Sequence, residues 1–211
     1  MTLLVLCPSY RRPKAAAEVQ ASFDATKALD TKLVFAVGVQ DSDSYGNLNI
    51  IAYPEWPMVM RTNRAATWAS KSYSYIGWIA DDNRFETPGW DEQVVKALEK
   101  PGSVVYGNDV VSPGSKPSHV FMDSRIPQEL GWFLHPELRS TFFDDVWEQI
   151  GRGLGTLRYL PTVRVNHLYV EKDNSADFAH DMAVYQRWLR HDLDADLARI
   201  SRALRPRRSP R

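Results

Sequence analysis

The sequence has a single cysteine, no excess of either charge and no long apolar run. With only Cys7 among 211 residues, no disulfide can form within the chain, which is typical of a reducing compartment. Lys and Arg together number 26, as do Asp and Glu, so no net field attracts polyanions. Residues 1–10 have no basic leader, and no later stretch approaches the ~20 apolar residues of a membrane span. These absences predict a soluble, cytoplasmic protein without a membrane segment.

Charge is concentrated only at the C-terminus, in a short basic tail at 205–211. Prolines separate its arginines, so the tail cannot easily extend a helix. Two interpretations remain open: a disordered, solvated tail, or a weak contact with nucleic acid or an acidic partner.

Apolar runs alternate with amphipathic stretches along most of the chain. Apolar residues make up 44% of the sequence and charged residues 25%, which are ordinary globular values. The alternation predicts a three-layer α/β/α sandwich with a mostly parallel central sheet and a C-terminal helix. We expect strands near 2–7, 32–38, 73–80, 102–107 and 162–170, and helices near 14–29, 63–72, 90–100, 142–155 and 177–204.

Two adjacent carboxylates, Asp81 and Asp82, follow the strand predicted at 73–80. In parallel sheets, ligands gather at the carboxyl ends of the strands, where these residues are expected. Paired carboxylates repel each other unless a cation such as Mg²⁺ or Mn²⁺ binds them. On an extended backbone the two side chains would point to opposite faces and do different work. The alternative is that Asp82 caps a turn and Asp81 is a surface charge.

Four stretches together indicate a family. They are "LCPSYRRP" after the first strand, "VGVQDSD" after the second, "RTNRAATWA" in a predicted helix, and "YIGWIADDNRFETPGWDE" around the two aspartates. The combination resembles the family 2 nucleotide-sugar-dependent glycosyltransferases of the GT-A fold, over residues 3–170 and most strongly before residue 110. The resemblance implies a GT-A sandwich, a nucleotide-sugar donor and transfer of the sugar to an acceptor hydroxyl.

The resemblance also implies roles for residues of the donor site. Asp82 stands where the family binds Mn²⁺ or Mg²⁺, and Asp81 where it contacts ribose, although Ala80 replaces the first acid of the family's metal motif. His167 lies where many members place a third metal ligand or a phosphate contact, although a structural histidine is the alternative. The nucleotide contacts implied are Pro8, Ser9 and Arg11 in the first loop, Asp41 or Asp43 at the nucleobase, and Asn63 with Arg64 in the helix.

The acceptor side of the family implies a general base. Asp144 and Asp145 occupy the position of its acidic pair, and Asp145 is the expected base in an inverting reaction. Helix capping is the alternative for both. Trp132 and Phe133 are expected to form an acceptor platform.

We therefore predict an inverting transferase that uses a UDP-sugar, or less readily a dTDP-sugar. Its acceptor is a protein, a saccharide or a hydroxylated DNA base. Residues 1–107 are expected to bind the donor and 108–204 the acceptor, within one domain. Two alternatives are a sugar nucleotidyltransferase, whose glycine-rich phosphate loop "CPSYRRP" lacks, and a binding module without catalysis.

Overall fold

Eight strands form one sheet in the computed structural model, which describes residues 2–168 and 175–205. The strand order is β3-β2-β1-β4-β7-β6-β8-β5, and all strands are parallel except β7 and β5. The strands are β1 Leu3–Pro8, β2 Lys32–Gly38, β3 Ile50–Tyr53, β4 Tyr75–Trp78, β5 Asn83–Phe85, β6 Val104–Asn108, β7 Val120–Asp123 and β8 Leu157–His167.

Helices cover both faces of the sheet, so the predicted three-layer α/β/α sandwich is confirmed. The helices are α1 Pro13–Thr26, α2 Met58–Ser72, α3 Trp90–Leu98, α4 Arg125–Leu130, α5 Phe143–Gly153, α6 Ser175–His191 and α7 Leu193–Ala203, with a 3-10 helix at Val39–Tyr45. Strand β1 contributes to both cores, because its alternate side chains point to opposite faces. Leu4 and Leu6 pack in one core and Val5 and Cys7 in the other, all without solvent exposure. Burial on both faces explains its continuous apolar sequence.

Large aromatic side chains fill the core on the side of α1 and α3. Trp90, the first residue of α3, is fully buried, with ring centroids 4.4 Å from Phe85 and 5.5 Å from Phe23. Phe121 of β7 lies across Gly77 of β4, where any Cβ would approach its ring to 2.5 Å. A glycine is therefore required where these two antiparallel strands pair.

The prediction of one long C-terminal helix at 177–204 is wrong in one respect. The chain forms two helices there, α6 and α7, which are separated at Asp192. Asp196 in the first turn of α7 accepts a hydrogen bond from the buried Trp188 indole at 3.0 Å, which ties the second helix back to the first. Of the predicted basic tail, only Arg205 belongs to the described residues.

Three short strands and one short helix were not predicted. β3, β5, β7 and α4 have only three to six residues each, which is too short for a periodic pattern to stand out. Among residues 2–168 and 175–205, no helix combines the length and the apolar character needed to cross a membrane.

Candidate active site

The ends of β1 and β4 and the start of α2 surround a cavity of about 460 Å³, which we call the strand-end cavity. It lies at the carboxyl edge of the parallel strands, where the sequence predicted ligand contacts. Its polar lining includes Ser9, Arg12, Arg61, Asp81, Asp82, Ser140 and His167.

The two adjacent aspartates lie in a turn rather than on an extended strand, so the expectation based on strand alternation was wrong. β4 ends at Trp78, and the Asn83 amide donates to the carbonyl of Ala80 at 3.1 Å to close the turn. The Asn83 side chain accepts from the Ala80 amide at 2.7 Å, and Arg84 donates to the Asp81 carbonyl at 3.3 Å. Both carboxylates are buried by this turn, with exposed fractions of 5% for Asp81 and 2% for Asp82.

Asp81 is bound to the first loop. Its carboxylate accepts hydrogen bonds from Ser9 Oγ at 2.8 Å and from Arg12 Nη1 at 2.6 Å. Tyr45 donates in turn to Ser9 Oγ at 2.9 Å, which fixes the serine hydroxyl. Arg12 therefore has the place in the cavity that the sequence suggested for Arg11.

Arg11 itself lies at the rim. Its side chain is 63% exposed, its Nε is 3.8 Å from Asp41 Oδ1, and it does not line the strand-end cavity. Its backbone has a φ of 54°, a left-handed conformation that few residues other than glycine adopt. That turn of the chain separates the directions of Arg11 and Arg12, a difference that the sequence does not reveal.

Asp82 lies beside His167, with Oδ1 3.4 Å from Nε2. The antiparallel pairing of β5 with β8 places Asn83 opposite His167 and so brings the two side chains together. Neighbouring ligands of an octahedral Mg²⁺ lie about 3 Å apart, so this carboxylate and imidazole fit one divalent cation. Among residues 2–168 and 175–205, no group of three or more His, Cys, Asp or Glu could hold a metal ion. Phosphate oxygens and water commonly complete the shell of such a cation.

Arg61, like Arg12, lines this cavity and was missed by the sequence analysis. It is only 4% exposed, and its Nε has no hydrogen-bond partner in the described part of the chain. Its guanidinium carbon lies 5.7 Å from the centroid of the Tyr10 ring. Burial lowers its pKa, although the nearby Tyr45 and Asp41 act against this. The signal was present: Arg61 shares the inward face of α2 with Ala65 and Ala69, at spacings of four residues.

Asn63 and Arg64 line a different cavity, of about 860 Å³, on the outer side of α2. The Asn63 amide oxygen accepts from the backbone of Phe133 at 2.9 Å and Leu134 at 2.7 Å, and its nitrogen donates to the Leu134 carbonyl. Asn63 thus holds this loop against the helix. Arg64 is exposed on the surface of α2.

Asp41 and Asp43 lie in the 3-10 helix after β2. The Asp41 side chain is 14% exposed, and its Oδ2 is buried without a hydrogen-bond partner in the described chain. Asp43 is exposed. Of the two, only Asp41 offers a buried acceptor near the end of β2.

Asp144 and Asp145 begin helix α5 and line a second cavity of about 360 Å³, which we call the acid-pair cavity. Lys116 contacts Asp145 Oδ1 at 2.8 Å. Burial, followed by the charge of Asp145, raises the pKa of Asp144 to about 6. The two cavities adjoin, because both are lined by Trp78, Ser140, Phe143 and His167.

The loop between the cavities is held by one carboxylate. Asp181 of α6 is fully buried and accepts from the backbone amides of Arg139, Ser140 and Thr141 at 2.9 to 3.0 Å, and from the Thr141 hydroxyl at 3.1 Å. Burial alone would raise the pKa of Asp181, but these hydrogen bonds lower it overall. The position of Ser140, where the two cavities adjoin, therefore depends on the hydrogen-bonded carboxylate of Asp181.

The predicted platform of Trp132 and Phe133 belongs to the core instead. Phe133 is fully buried, and both rings pack on Trp147 at centroid distances of 5.7 to 5.8 Å. The aromatic residues that line the acid-pair cavity are Trp78, Phe142, Phe143 and Phe178.

The raised pKa of Asp144 leads to a prediction about stability. Because its folded pKa is about 6 against an ordinary 3.8, the folded state holds the proton more tightly, and stability falls as pH rises through that window. We expect Asp144→Asn to raise the free energy of unfolding by about 3 kcal/mol at pH 8 and to have little effect at pH 4. Urea unfolding at both pH values measures this, with the exposed Asp43→Asn as control. An equal gain at both pH values would contradict the prediction.

The fold is similar to those of several proteins of known structure. TarS of S. aureus, in complex with UDP-GlcNAc, matches with a TM-score of 0.65 and 13% identity over 96% of this chain and 72% of that chain. The mannosyltransferase PcManGT from Pyrobaculum calidifontis, in complex with GDP-Man and Mn²⁺, matches with a TM-score of 0.63 and 10% identity, over 95% and 73% of the two chains. The predicted GT-A fold is confirmed by these neighbours.

The chain spans only 43% of a longer TarS structure, over which the TM-score is 0.63 at 13% identity. No protein-family model and no curated protein matches the sequence.

Proposed function

We propose that the protein is a glycosyltransferase that moves a sugar from a nucleoside diphosphate to an acceptor hydroxyl. The observation that carries this proposal is the adjoining of two cavities, one with Asp82 beside His167 and the other with the acid pair. A transferred group moves from a donor to an acceptor, so the two must be bound side by side, and Ser140 and Phe143 line both cavities. The fold neighbours in complex with nucleotide sugars support the same function.

The strand-end cavity is proposed to bind the donor. Asp81, held by Ser9 and Arg12, presents a carboxylate for the ribose hydroxyls, and Pro8 lines the same wall. Asp82 and His167 would hold Mn²⁺ or Mg²⁺, which when bound neutralises charge on the departing diphosphate. Metal dependence remains a proposal from this pair and from the Mn²⁺ of the mannosyltransferase complex.

Asp41 and Arg61 are proposed to bind the nucleobase edge. Asp41 has a buried carboxylate oxygen without a partner, and Arg61 has a buried Nε–H without one. Uracil presents an imide N–H between two carbonyl oxygens, so it matches one acceptor and one donor of this kind. Guanine also presents an N–H beside a carbonyl oxygen. We keep a UDP-sugar as the proposed donor, with dTDP and GDP donors as the comparisons to test.

The acid pair is proposed to activate the acceptor. Asp145 removes the proton from the acceptor hydroxyl, whose oxygen then bonds to the anomeric carbon as the bond to the diphosphate breaks on the opposite face. This sequence inverts the anomeric centre. Lys116, whose Nζ is 2.8 Å from Asp145 Oδ1, orients that carboxylate through a charge-assisted hydrogen bond.

Two parts of the proposal concern organisation and location. Residues 1–107 supply the donor contacts above except His167, and residues 108–204 supply the acid pair, so we retain these as donor and acceptor halves of one domain. Cytoplasmic location is retained on the basis of the single buried Cys7. Membership of family 2 remains a prediction from the sequence motifs.

Donor hydrolysis and binding together test the proposed function. We expect UDP to bind in calorimetry with an affinity that rises when Mn²⁺ is added, and at least one sugar nucleotide among UDP-glucose, UDP-GlcNAc, dTDP-glucose and GDP-mannose to be cleaved. Nucleotide binding without cleavage of any donor would favour the noncatalytic binding module. Formation of a nucleotide sugar from a nucleoside triphosphate and a sugar phosphate would favour the nucleotidyltransferase.

Arg61 provides a matched pair of variants within one helix. We expect Arg61→Met to weaken UDP binding by about 10- to 100-fold, because hydrogen bonds from a charged donor contribute about 1.5–3 kcal/mol. Stability should change little, because the variant removes a buried Nε–H without a hydrogen-bond partner and keeps an apolar side chain of similar length beside the Tyr10 ring. Arg64→Met changes the same residue type on the outer face and should leave UDP binding unchanged. Calorimetry measures the UDP affinity of both variants. Equal losses of affinity in Arg61→Met and Arg64→Met would contradict the assignment of Arg61 to the nucleobase.

A further inference from the structure

An exposed aromatic side chain borders the acid-pair cavity. Phe178 of α6 is 49% exposed, although it is one of the large apolar residues that usually lie in the core. Its ring centroid is 5.4 Å from that of Phe142, at an interplanar angle of 43°. Both residues line the cavity that holds Asp144 and Asp145. An apolar ring left open beside two carboxylates offers a ligand both a flat apolar surface and hydrogen-bond acceptors.

Phe142 is held rigidly in this arrangement. Its φ is 65°, a left-handed conformation that is costly for a residue with a Cβ, and it immediately precedes helix α5 and the acid pair. The ring stacks on Tyr185 at 5.2 Å with an interplanar angle of 13°. We call the surface formed by Phe142 and Phe178 the aromatic shelf; the backbone of Phe142 and its stacking on Tyr185 place it directly beside the two carboxylates.

The charges around the cavity discriminate among acceptors. Asp144 and Asp145 contribute two negative charges, and Lys116, which pairs with Asp145, contributes one positive charge. The described lining is therefore negative overall when both acids are ionised, and at a physiological ionic strength this repulsion acts over about 8 Å. A phosphate-rich acceptor such as DNA is disfavoured there, whereas neutral hydroxyl groups can donate hydrogen bonds to the carboxylates.

We propose that the acid-pair cavity and its aromatic shelf bind a neutral saccharide as the acceptor, with one sugar ring packed on Phe178. A sugar ring has an apolar C–H face that packs on a phenyl ring and hydroxyl groups at its edge that reach the acid pair. This inference rests on the proposed function and selects the saccharide from the three acceptor classes that the sequence left open.

The test uses acceptor-stimulated release of UDP, or of the nucleotide of whichever donor the protein cleaves. The probes are neutral disaccharides (maltose, cellobiose, lactose and chitobiose), a Ser/Thr-containing peptide, and duplex DNA that contains 5-hydroxymethylcytosine. We expect a neutral disaccharide to accelerate nucleotide release. Phe178→Ala should raise the KM for that disaccharide about tenfold with kcat little changed, and Phe178→Tyr should restore it. Acceptor-independent hydrolysis and UDP affinity should be the same in all three proteins.

Three results would overturn the inference while leaving the proposed function intact: acceleration only by DNA or only by the peptide, no acceleration by any neutral disaccharide, or an unchanged disaccharide KM in Phe178→Ala. A protein that neither binds UDP nor cleaves any donor would instead refute the proposed function itself, and this inference with it.

Discussion

Asp82→Asn is expected to lower the rate of sugar transfer by about 10³-fold. The substitution keeps the size of the side chain but removes the negative charge that lies 3.4 Å from His167 in the strand-end cavity. A carboxylate that holds a divalent cation supports several kcal/mol of charge stabilisation, and each 1.36 kcal/mol corresponds to a factor of ten. Initial rates of nucleotide release at saturating Mn²⁺ measure the effect.

Asp43→Asn is the matched control, because Asp43 is an exposed carboxylate in the same half of the chain. We expect it to keep the full rate. Circular dichroism should show that Asp82→Asn remains folded, since the amide fits the same turn. If Asp82→Asn keeps more than about half of the wild-type rate, Asp82 does not hold the cation and the proposed donor site is wrong.

Asp145→Asn is expected to lower kcat by 10²- to 10⁴-fold, the usual contribution of a general base. UDP affinity should be unchanged, because Asp145 lines the acid-pair cavity and not the strand-end cavity. Steady-state kinetics with the accepted disaccharide, together with UDP calorimetry, separate these two effects. A loss of UDP affinity comparable to the loss of kcat would indicate a structural role instead.

Lys116→Met tests whether activity depends on the Asp145 carboxylate itself or on its ion pair with Lys116. It removes the partner that lies 2.8 Å from Asp145 and leaves the proposed base in place. We expect kcat to fall less than tenfold, because the carboxylate that takes the proton is still present and only its hydrogen-bond partner is lost. If Lys116→Met is as inactive as Asp145→Asn, the ion pair rather than the base controls the reaction.

The sequence predicted the elements that are buried on both faces or strongly amphipathic. β1 and β2 read as continuous apolar runs because the sheet is covered on both sides, and α3 and α5 show clear apolar faces. The break at Asp192 was missed because both helices keep apolar residues at helical spacing across it. The short strands carry too few residues to be recognised without their partners.

The most diagnostic motif contains both residues of the candidate site and residues that stabilise the fold. In "DDNRFETPGWDE", Asp81 and Asp82 reach the strand-end cavity, whereas Trp90 and Asp91 serve the fold. Asp91 is fully buried and accepts from the amides of Ala28 and Leu29 and from the Thr31 hydroxyl at 2.8 to 2.9 Å. A residue in a family motif is therefore not evidence of a ligand contact until its partners are known.

Individual site residues were harder to predict than the regions that carry them. The loop after β1 and the helix α2 were both identified, but the cavity receives Arg12 and Arg61 rather than Arg11 and Arg64. Side chains one or three positions apart point in different directions. The difference depends on the local backbone φ and, within a helix, on which face each residue occupies. The φ of 54° at Arg11 is such a local feature. The acid pair was placed correctly at the start of a helix because its spacing from the apolar residues of α5 is regular.

The central claim is that Asp82 and His167 hold a divalent cation that binds a nucleoside diphosphate. Its most direct test is calorimetry of UDP with the wild-type protein and with Asp82→Asn, each with and without Mn²⁺. The account predicts that Mn²⁺ strengthens UDP binding to the wild-type protein at least tenfold and has little effect on the variant. UDP binding that is equally strong with and without Mn²⁺, or equally enhanced in both proteins, would contradict it.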